Sequence, residues 1–589
     1  MNKTLAAWLS LLLALAPAAA PAAAAVKNPD ILVYATIGDP ESFDPAWAYD
    51  TASQNVIANV YEYLLAFKGG GTRVKDLMPM LATKVPTRAN GLISPDGLVY
   101  RFPIRRGVKF QDGAALTPED VRYSLLRFML MDRAGGPSSL LLQPILGRAT
   151  TRRDGKPDPA AYAEAAKAVT VRGDEVVIRL KRPFAPFLTI LPAWGAVMER
   201  AWCAANGQWD GKAGDWAKYN DPTLEQTLPK TLMNGTGPFA LERFEPNTKQ
   251  VILKRWDGYW RKPARLKNVV IKVVNEFATR KLMLQAGDAD VIYVPQMYHP
   301  QVVGLPGVQV IDGLQDLDRS MLLMFTFKIN PVANPNIGSG KLDGNGIPPD
   351  FFSDRDVRLA FAEAIDYQAV VRDLENGAGA QSTGLIPPGL LGYWKRRPPY
   401  HFDLKEAAAH LKKAWGGKVW ANGFKVTLVY NAGSAPAQAL CQMIKKNVES
   451  LNPKFSIDVR MLEWSTYLAQ SRERQIPLQL GAWQADYPDP HNFVFPLLDS
   501  QGYFPTQQGY KNPELDRLIE EAASTMSEPR RAALYRRIQT IADRDVPCVP
   551  VVDGPRFRVQ RSWVKGFVFN PTFPDMPYGS YYYDLYKAD

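Results

Sequence analysis

Asp486-Tyr487-Pro488-Asp489-Pro490 places two carboxylates three positions apart in a proline-bounded segment. Paired carboxylates on either side of a sugar linkage can hydrolyse it, so a secreted hydrolase using Asp486 and Asp489 is one reading. Against it, prolines make this a rigid turn, where Asp commonly serves the backbone. The four histidines, His299, His401, His410 and His491, show no i, i+4 pair of the kind that binds zinc on a helix. No GxSxG elbow, P-loop or GxGxxG follows a strand-like run. Gly69-Gly70-Gly71 reads as a flexible turn. Cys203, Cys441 and Cys548 form no CxxC motif. These residue types point to binding rather than turnover: no catalytic residue, metal or cofactor is expected.

The elements that must position such residues alternate between strand and helix. Val- and Ile-rich runs over 31–37, 176–180, 250–254, 269–274, 425–430 and 457–461 read as strands. Thr117 before Pro118, Glu119 and Asp120 marks a helix start: a good N-cap, a proline in the first turn, and acids facing the helix dipole. Asp403 with Glu406 has capping-box spacing, and Asn512-Pro513-Glu514 opens a helix with Leu515, Leu518, Ile519 and Ala522 on one face. Val357, Phe361, Ala364 and Ile365 keep helical period after Ser353 or Asp354. The expectation is mixed α/β with more than one sheet and no solenoid repeat. The Gly/Pro-rich stretch 334–350 has no hydrophobic period and reads as a surface loop.

Length and composition set the frame. The chain has 589 residues, 46% hydrophobic and 22% charged. That is a folded, multi-lobed protein and not a disordered one. The net charge of +11 is dispersed, with Lys395-Arg396-Arg397 the longest basic run. A nucleic-acid binder concentrates such charge on one face, so no nucleic-acid partner is expected. Lys3, the apolar run 5–16 and the alanine-rich 18–25 follow the order of a secretory signal peptide. Cleavage near Ala25 and a periplasmic location are expected. Cys203 and Cys441 could then pair in an oxidising compartment, while Cys548, inside the apolar stretch 546–552, reads as a small buried hydrophobe.

A series of motifs then runs in order along almost the whole exported chain. Gly38-Asp39-Pro40-Glu41-Ser42-Phe43-Asp44-Pro45 precedes Tyr61-Glu62-Tyr63-Leu64. Asp96-Gly97 leads to Ile104-Arg105-Arg106-Gly107-Val108-Lys109-Phe110, Asp112-Gly113 and Leu116-Thr117-Pro118-Glu119-Asp120-Val121, ending at Ser124 and Arg127. Asn234-Gly235-Thr236-Gly237-Pro238-Phe239, Asp257-Gly258-Tyr259-Trp260, Gly287-Asp288-Ala289-Asp290, Asp356-Val357-Arg358-Leu359-Ala360 with Ala364-Ile365-Asp366, and the stretch 483–490 follow. This series resembles the extracellular solute-binding proteins of family 5, the dipeptide, oligopeptide and nickel group that serves ABC importers.

The resemblance implies a two-lobed periplasmic binding protein, type II, of the large class with an extra subdomain, with its ligand cleft between the lobes and hinge closure over the ligand. By position, 1–25 is the signal peptide. Lobe I takes 26–66, 228–320 and 551–589, the extra subdomain 67–227, and lobe II 321–550. The implied function is capture of a peptide or peptide-like ligand by a monomer that delivers it to a membrane ABC permease, without catalysis. A nickel chelate, an opine or an oligosaccharide is the alternative cargo. Asp486 matches the position that pairs with a peptide's ammonium group, a charge-assisted bond that is strong in a dry cleft. Trp483 and Tyr487 match pocket positions beside it. Tyr49, Asp50 and Thr51 match residues lying along a bound peptide backbone. The chain departs from the family at Ala482, where glycine is usual, and has no arginine just before Trp483 to meet a ligand carboxylate. Arg472 and Arg474 are the nearest candidates. The loop 334–350 is longer than the family's and could line the cleft entrance, its role being left open by the sequence.

Overall fold

The computed structural model describes residues 26–396, 398–573 and 581–589. The export segment read over 1–25 and Arg397 lie outside the described residues. Among the described residues no helix is long and apolar enough to cross a membrane.

Two large sheets organise the chain. The first has seven strands in the order Val308–Leu314, Arg556–Arg561, Val291–Ile292, Ile31–Thr36, Asn268–Val273, Gln250–Arg255 and Phe239–Glu245. Ile31–Thr36 pairs parallel with both of its neighbours, and the outer pairings are antiparallel. The second has five strands in the order Phe455–Leu462, Phe424–Asn431, Leu478–Gln484, Asp318–Phe325 and Cys548–Pro550. The six runs rich in Val and Ile all form strands, within two residues of their expected ends. Both sheets are covered on two faces. Leu32 packs into one core and Ala35 into another, and Leu323 and Leu322 divide in the same way. Successive strand residues point to opposite faces, so doubly covered strands read as continuous apolar runs. The polypeptide passes between the sheets near 314–318 and 553–556, where Arg556 bonds Asp318 at 2.5 Å.

Helix starts follow their capping chemistry. Thr117 and Asp120 form a reciprocal capping box on Pro118–Met131, while Asp354, Asp403 and Asn512 each accept backbone N–H bonds at their helix starts. A three-stranded sheet, Val99–Pro103, Glu175–Arg179 and Val169–Arg172, sits with Pro118–Met131 in the segment before residue 200. That segment is tied to the N-terminal motif by a buried ion pair. Arg127 donates to both carboxylate oxygens of Asp44, at 2.7 and 2.6 Å, and to Gln208 at 2.8 Å.

Two points that the sequence leaves open are decided by the structure. Cys203 and Cys441 are both free and buried in different hydrophobic cores, so they do not pair. The loop 334–350 is folded against the five-stranded sheet and does not line the cleft. Asn334 and Asn336 donate to the Gln475 carbonyl, both at 2.9 Å, and Arg460 donates to Asn336. Asn334, Asn336, Ile337 and Ile347 are buried. Side-chain amides meet the backbone polar groups there, so no hydrophobic period is needed.

The Asn234–Phe239 motif shows why its glycines matter. Gly237 N–H bonds the Val60 carbonyl at the end of helix Thr51–Val60. A Cβ on Gly235 would sit 1.9 Å from that same carbonyl oxygen. The motif thus clamps the helix that Asp50 caps. Gly235→Ala should lower stability by roughly 1–3 kcal/mol or more, because overpacking here meets backbone rather than a mobile side chain. Denaturant unfolding checks this, and an unchanged midpoint would contradict it.

Candidate functional site

The segment Trp483 to Asn492 leaves the end of strand Leu478–Gln484, turns through two prolines and enters helix His491–Leu498. The turn folds back on itself. Asp486 N–H donates to Asn492 Oδ1 at 2.7 Å, and Asn492 Nδ2 donates to Asp486 Oδ2 at 2.8 Å. Trp483 Nε1 donates to the Asn492 carbonyl at 2.7 Å. Tyr49 reaches across from the N-terminal motif, and its hydroxyl donates to Asp486 Oδ2 at 2.8 Å. Trp194 Nε1 donates to the Asp486 carbonyl at 3.2 Å. The Tyr49 ring stands edge-on to Trp194, Trp483 and Tyr503, with centroids 5.3, 5.8 and 5.3 Å away, geometry that aromatic quadrupoles favour.

The carboxyl of Asp486 is thus buried and held by two neutral donors, and no cation among the described residues lies at bonding distance from it. Burial pushes its pKa up to about 7, and the Asn492 and Tyr49 hydrogen bonds only partly oppose this. Burial, then the neighbouring Asp486 carboxylate, raises the Tyr49 phenol well above its ordinary value, so it remains a donor. A desolvated carboxylate with no counter-charge is a receptor for a cation, because an arriving ammonium supplies the charge that burial removed.

Beside this cluster lies a cavity of about 1010 Å³, lined by Tyr49, Tyr487, Asn492, Tyr503, Arg133 and Arg472 among others. Trp483 and Asp486 stand behind that wall. Trp483 belongs to a hydrophobic core with Phe504 and Leu518 and braces Tyr49 and Tyr503. The Tyr487 hydroxyl shares a hydrogen bond with His491 Nδ1 at 2.7 Å. Burial, then Arg531, lowers the His491 pKa to about 3, so the imidazole is neutral.

Of the three residues expected along a ligand backbone, only Tyr49 lines the cavity. Asp50 turns inward as the N-cap of Thr51–Val60, accepting from Ser53 N–H at 2.9 Å. Thr51, in the first turn of that helix, is exposed. As the N-cap, Asp50 keeps an extended backbone but turns its carboxylate onto the free N–H groups of the helix, and it does not line the cavity. Arg472 and Arg474 both line the cavity: Arg472 is paired with Glu41, while Arg474 donates to the Thr506 carbonyl and has no carboxylate partner among the described residues. Asp489 accepts from buried Arg531 at 2.8 Å and from His491 N–H at 2.9 Å. It is a structural anion, and the acid-pair reading of Asp486 with Asp489 fails on that geometry. Asn492 and Trp194 escaped the sequence reading. Asn492, at the start of a helix six residues on, carried a local signal as a possible partner; Trp194, nearly 300 residues away, carried none.

Lobes in contact around a walled cavity, with a desolvated carboxylate bridged from both sides, define a two-lobed binding protein. The model of the bacterial extracellular solute-binding proteins, family 5, matches residues 76–505, and the chain belongs to that family. It is 27% identical over 560 residues to heme-binding protein A of Haemophilus influenzae, covering 93% of this chain and 91% of that one. It is 26% identical over 561 residues to the dipeptide-binding protein of Escherichia coli, covering 92% of each. The fold superimposes with a TM-score of 0.71 and 25% identity on the ABC transporter-associated periplasmic binding protein DppA of Helicobacter pylori in complex with peptide STSA, covering 95% of this chain and 98% of that one.

Proposed function

We propose that this protein is a periplasmic receptor that captures a peptide or peptide-like ligand and hands it to the membrane permease of an ABC importer, acting as a monomer and catalysing nothing. The observation that carries the reading is the buried Asp486 carboxylate, bonded by Tyr49 and Asn492 and short of a cation. A peptide's ammonium group is the partner that such a site lacks. In this reading Tyr49 and Tyr487 meet the ligand's amine end at the cavity wall, Asp486 behind them supplies the negative charge that attracts it, and Trp483 holds the wall rigid. The boundaries near 66, 227, 320 and 550 separate lobe I, the subdomain within it, and lobe II. Their support is that strands from 31–36, 239–314 and 556–561 share one sheet, while strands from 318–325 and 424–550 share the other. Export through the segment ending near Ala25 delivers the protein to the compartment where such receptors work.

A metal-chelate cargo has less support. His299 lies beside Asp312, His401 beside Glu406 and His410 beside Asp356, and His491 is held by Tyr487, so no described histidine lines the cavity.

Native mass spectrometry of protein purified from its own periplasm should show a bound species of peptide mass. Adding that species to stripped protein should reduce the radius of gyration in small-angle scattering. It should also stabilise the fold by about 2.7 kcal/mol at a hundredfold excess over Kd. Tight binding with an unchanged scattering profile would remove the hinge from this account, and a copurified sugar or metal chelate would remove the peptide.

A further inference from the structure

Two packed helices, Arg355–Glu363 and Leu404–Lys413, bring together a set of ligating side chains, none of which lines the cavity. Asp403 caps the second helix through Oδ1, which accepts from the N–H groups of Lys405 at 2.8 Å and Glu406 at 3.0 Å. Sequence spacing suggests a capping box, in which Glu406 would return a bond to the Asp403 N–H. That N–H goes instead to the Glu363 carbonyl at 3.0 Å. The Glu406 carboxylate is therefore released from the cap and meets His401, with Oε2 3.1 Å from Nε2. One ligand atom from each of His401, Asp403 and Glu406 lies within 4.8 Å of the others.

Glu363, the last residue of the first helix, adds an independent sign that something is missing there. It is 6% exposed, and its Oε2 is buried with no hydrogen-bond partner. Oε1 lies 3.6 Å from His410 Nε2, beyond hydrogen-bond range, and His410 is already held by Asp356 through Nδ1 at 2.5 Å. Burial, then Glu406 and Asp403, push the Glu363 carboxyl up, so it stands in the negative field of the same three-residue set. Arg355 offsets part of that field, but its guanidinium is bonded to the Arg544 carbonyl. Among the described residues no lysine or arginine forms an ion pair with Glu363, Asp403 or Glu406. A buried carboxylate with neither donor nor cation is costly. Other buried acids of this chain are answered: Asp44 by Arg127 and Asp489 by Arg531.

We propose that His401, Asp403 and Glu406, with buried Glu363 completing the set, bind a divalent transition-metal ion of the zinc type. An imidazole nitrogen among carboxylate oxygens suits zinc or nickel, whereas magnesium and calcium take oxygen ligands. Two donors at ~2.0 Å from a tetrahedral zinc lie about 3.3 Å apart, close to the 3.1 Å between His401 and Glu406. Those two side chains are 49% and 54% exposed, so they can turn to close on an ion arriving from solvent. The ion supplies the positive charge that folding withholds from Glu363. It also ties the segment entering helix Leu404–Lys413 to the end of helix Arg355–Glu363. No metal is expected from the sequence, because no two histidines have helical spacing; the fold assembles this set from positions 363 and 401–406. The site is independent of the peptide reading, and its metal is a resident ion and not a cargo.

The test uses untagged, chelator-stripped full-length protein, titrated calorimetrically with zinc chloride and separately with calcium chloride at neutral pH. Wild type should take up one zinc per chain, bind calcium at least about 100-fold more weakly, and melt at a higher temperature with zinc than without. His401→Ala and Glu406→Gln change half-exposed side chains. Each should weaken zinc binding by roughly tenfold or more and leave the metal-free melting temperature near that of wild type. Glu363→Gln should also weaken zinc binding, yet melt higher than wild type without metal, because it removes a buried, unpaired charge. His299→Ala, outside the set, should leave zinc affinity unchanged. Absence of zinc binding, equal affinity for zinc and calcium, or unchanged zinc affinity in folded His401→Ala and Glu406→Gln would leave only an exposed ion pair and overturn the site. No peptide is present in any arm, so none of these outcomes bears on the cargo.

Discussion

Asp486→Asn should bind a free-amine peptide roughly 30-fold or more weakly than wild type, while its ligand-free form melts at a higher temperature. Removing one partner of a desolvated charge pair costs about 2–5 kcal/mol, much of it from the unpaired ammonium left behind, and ~1.4 kcal/mol is tenfold in affinity. Asparagine keeps the shape and still accepts from Tyr49 and Asn492. The gain in stability follows from the sign of the pKa shift. The folded-state pKa, about 7, lies above the ordinary carboxylate value. The contribution of Asp486 to stability is therefore fully present below pH ~4 and is lost as pH rises towards 7. At pH 8 wild type carries a buried, uncompensated anion that the variant lacks. Ligand affinity of wild type should run the opposite way, falling by up to about tenfold per unit as pH drops below 7, because only the ionised acid pairs with ammonium. Calorimetry with a peptide and its N-acetylated form, on both proteins at pH 6 and 8, checks all three. Equal binding of the free-amine peptide by both proteins would reduce Asp486 to a turn residue.

Arg127→Met and Asp44→Asn should each destabilise the protein by about 3–5 kcal/mol, since either leaves a buried charge without its partner. Asp44 is wholly buried and Arg127 nearly so. The Asp44→Asn/Arg127→Met double variant should lose much less than the sum of the two, because it strands no charge; the cycle measures that coupling. Denaturant unfolding is the readout. The expected site of failure is the junction between the N-terminal motif and the segment carrying Pro118–Met131, so ligand affinity should weaken as well, through loosening of Tyr49. Additive losses would show that the pair is not coupled.

The same pair shows where sequence reading stops. Asp44 and Arg127 each lie in a motif quoted from the sequence, and nothing in 83 residues of separation says that they touch. Local signals did determine local structure. Apolar runs of Val and Ile became doubly covered strands, and Thr117, Asp354, Asp403 and Asn512 capped helices because a side-chain oxygen next to free N–H groups has an obvious use. Family membership was also legible, because ordered motifs record backbone needs such as the clearance of Gly235 against Val60.

The tertiary structure alone decided which charges are satisfied. Asp486 and Asp489 look equivalent in a five-residue string, yet Arg531 neutralises one and only neutral donors meet the other. Arg472 and Arg474 are alike as letters. Glu41 pairs with the first, while a carbonyl holds the second. Burial and pairing depend on residues hundreds of positions apart, and a charge becomes a binding site only where folding removes its water without supplying a partner.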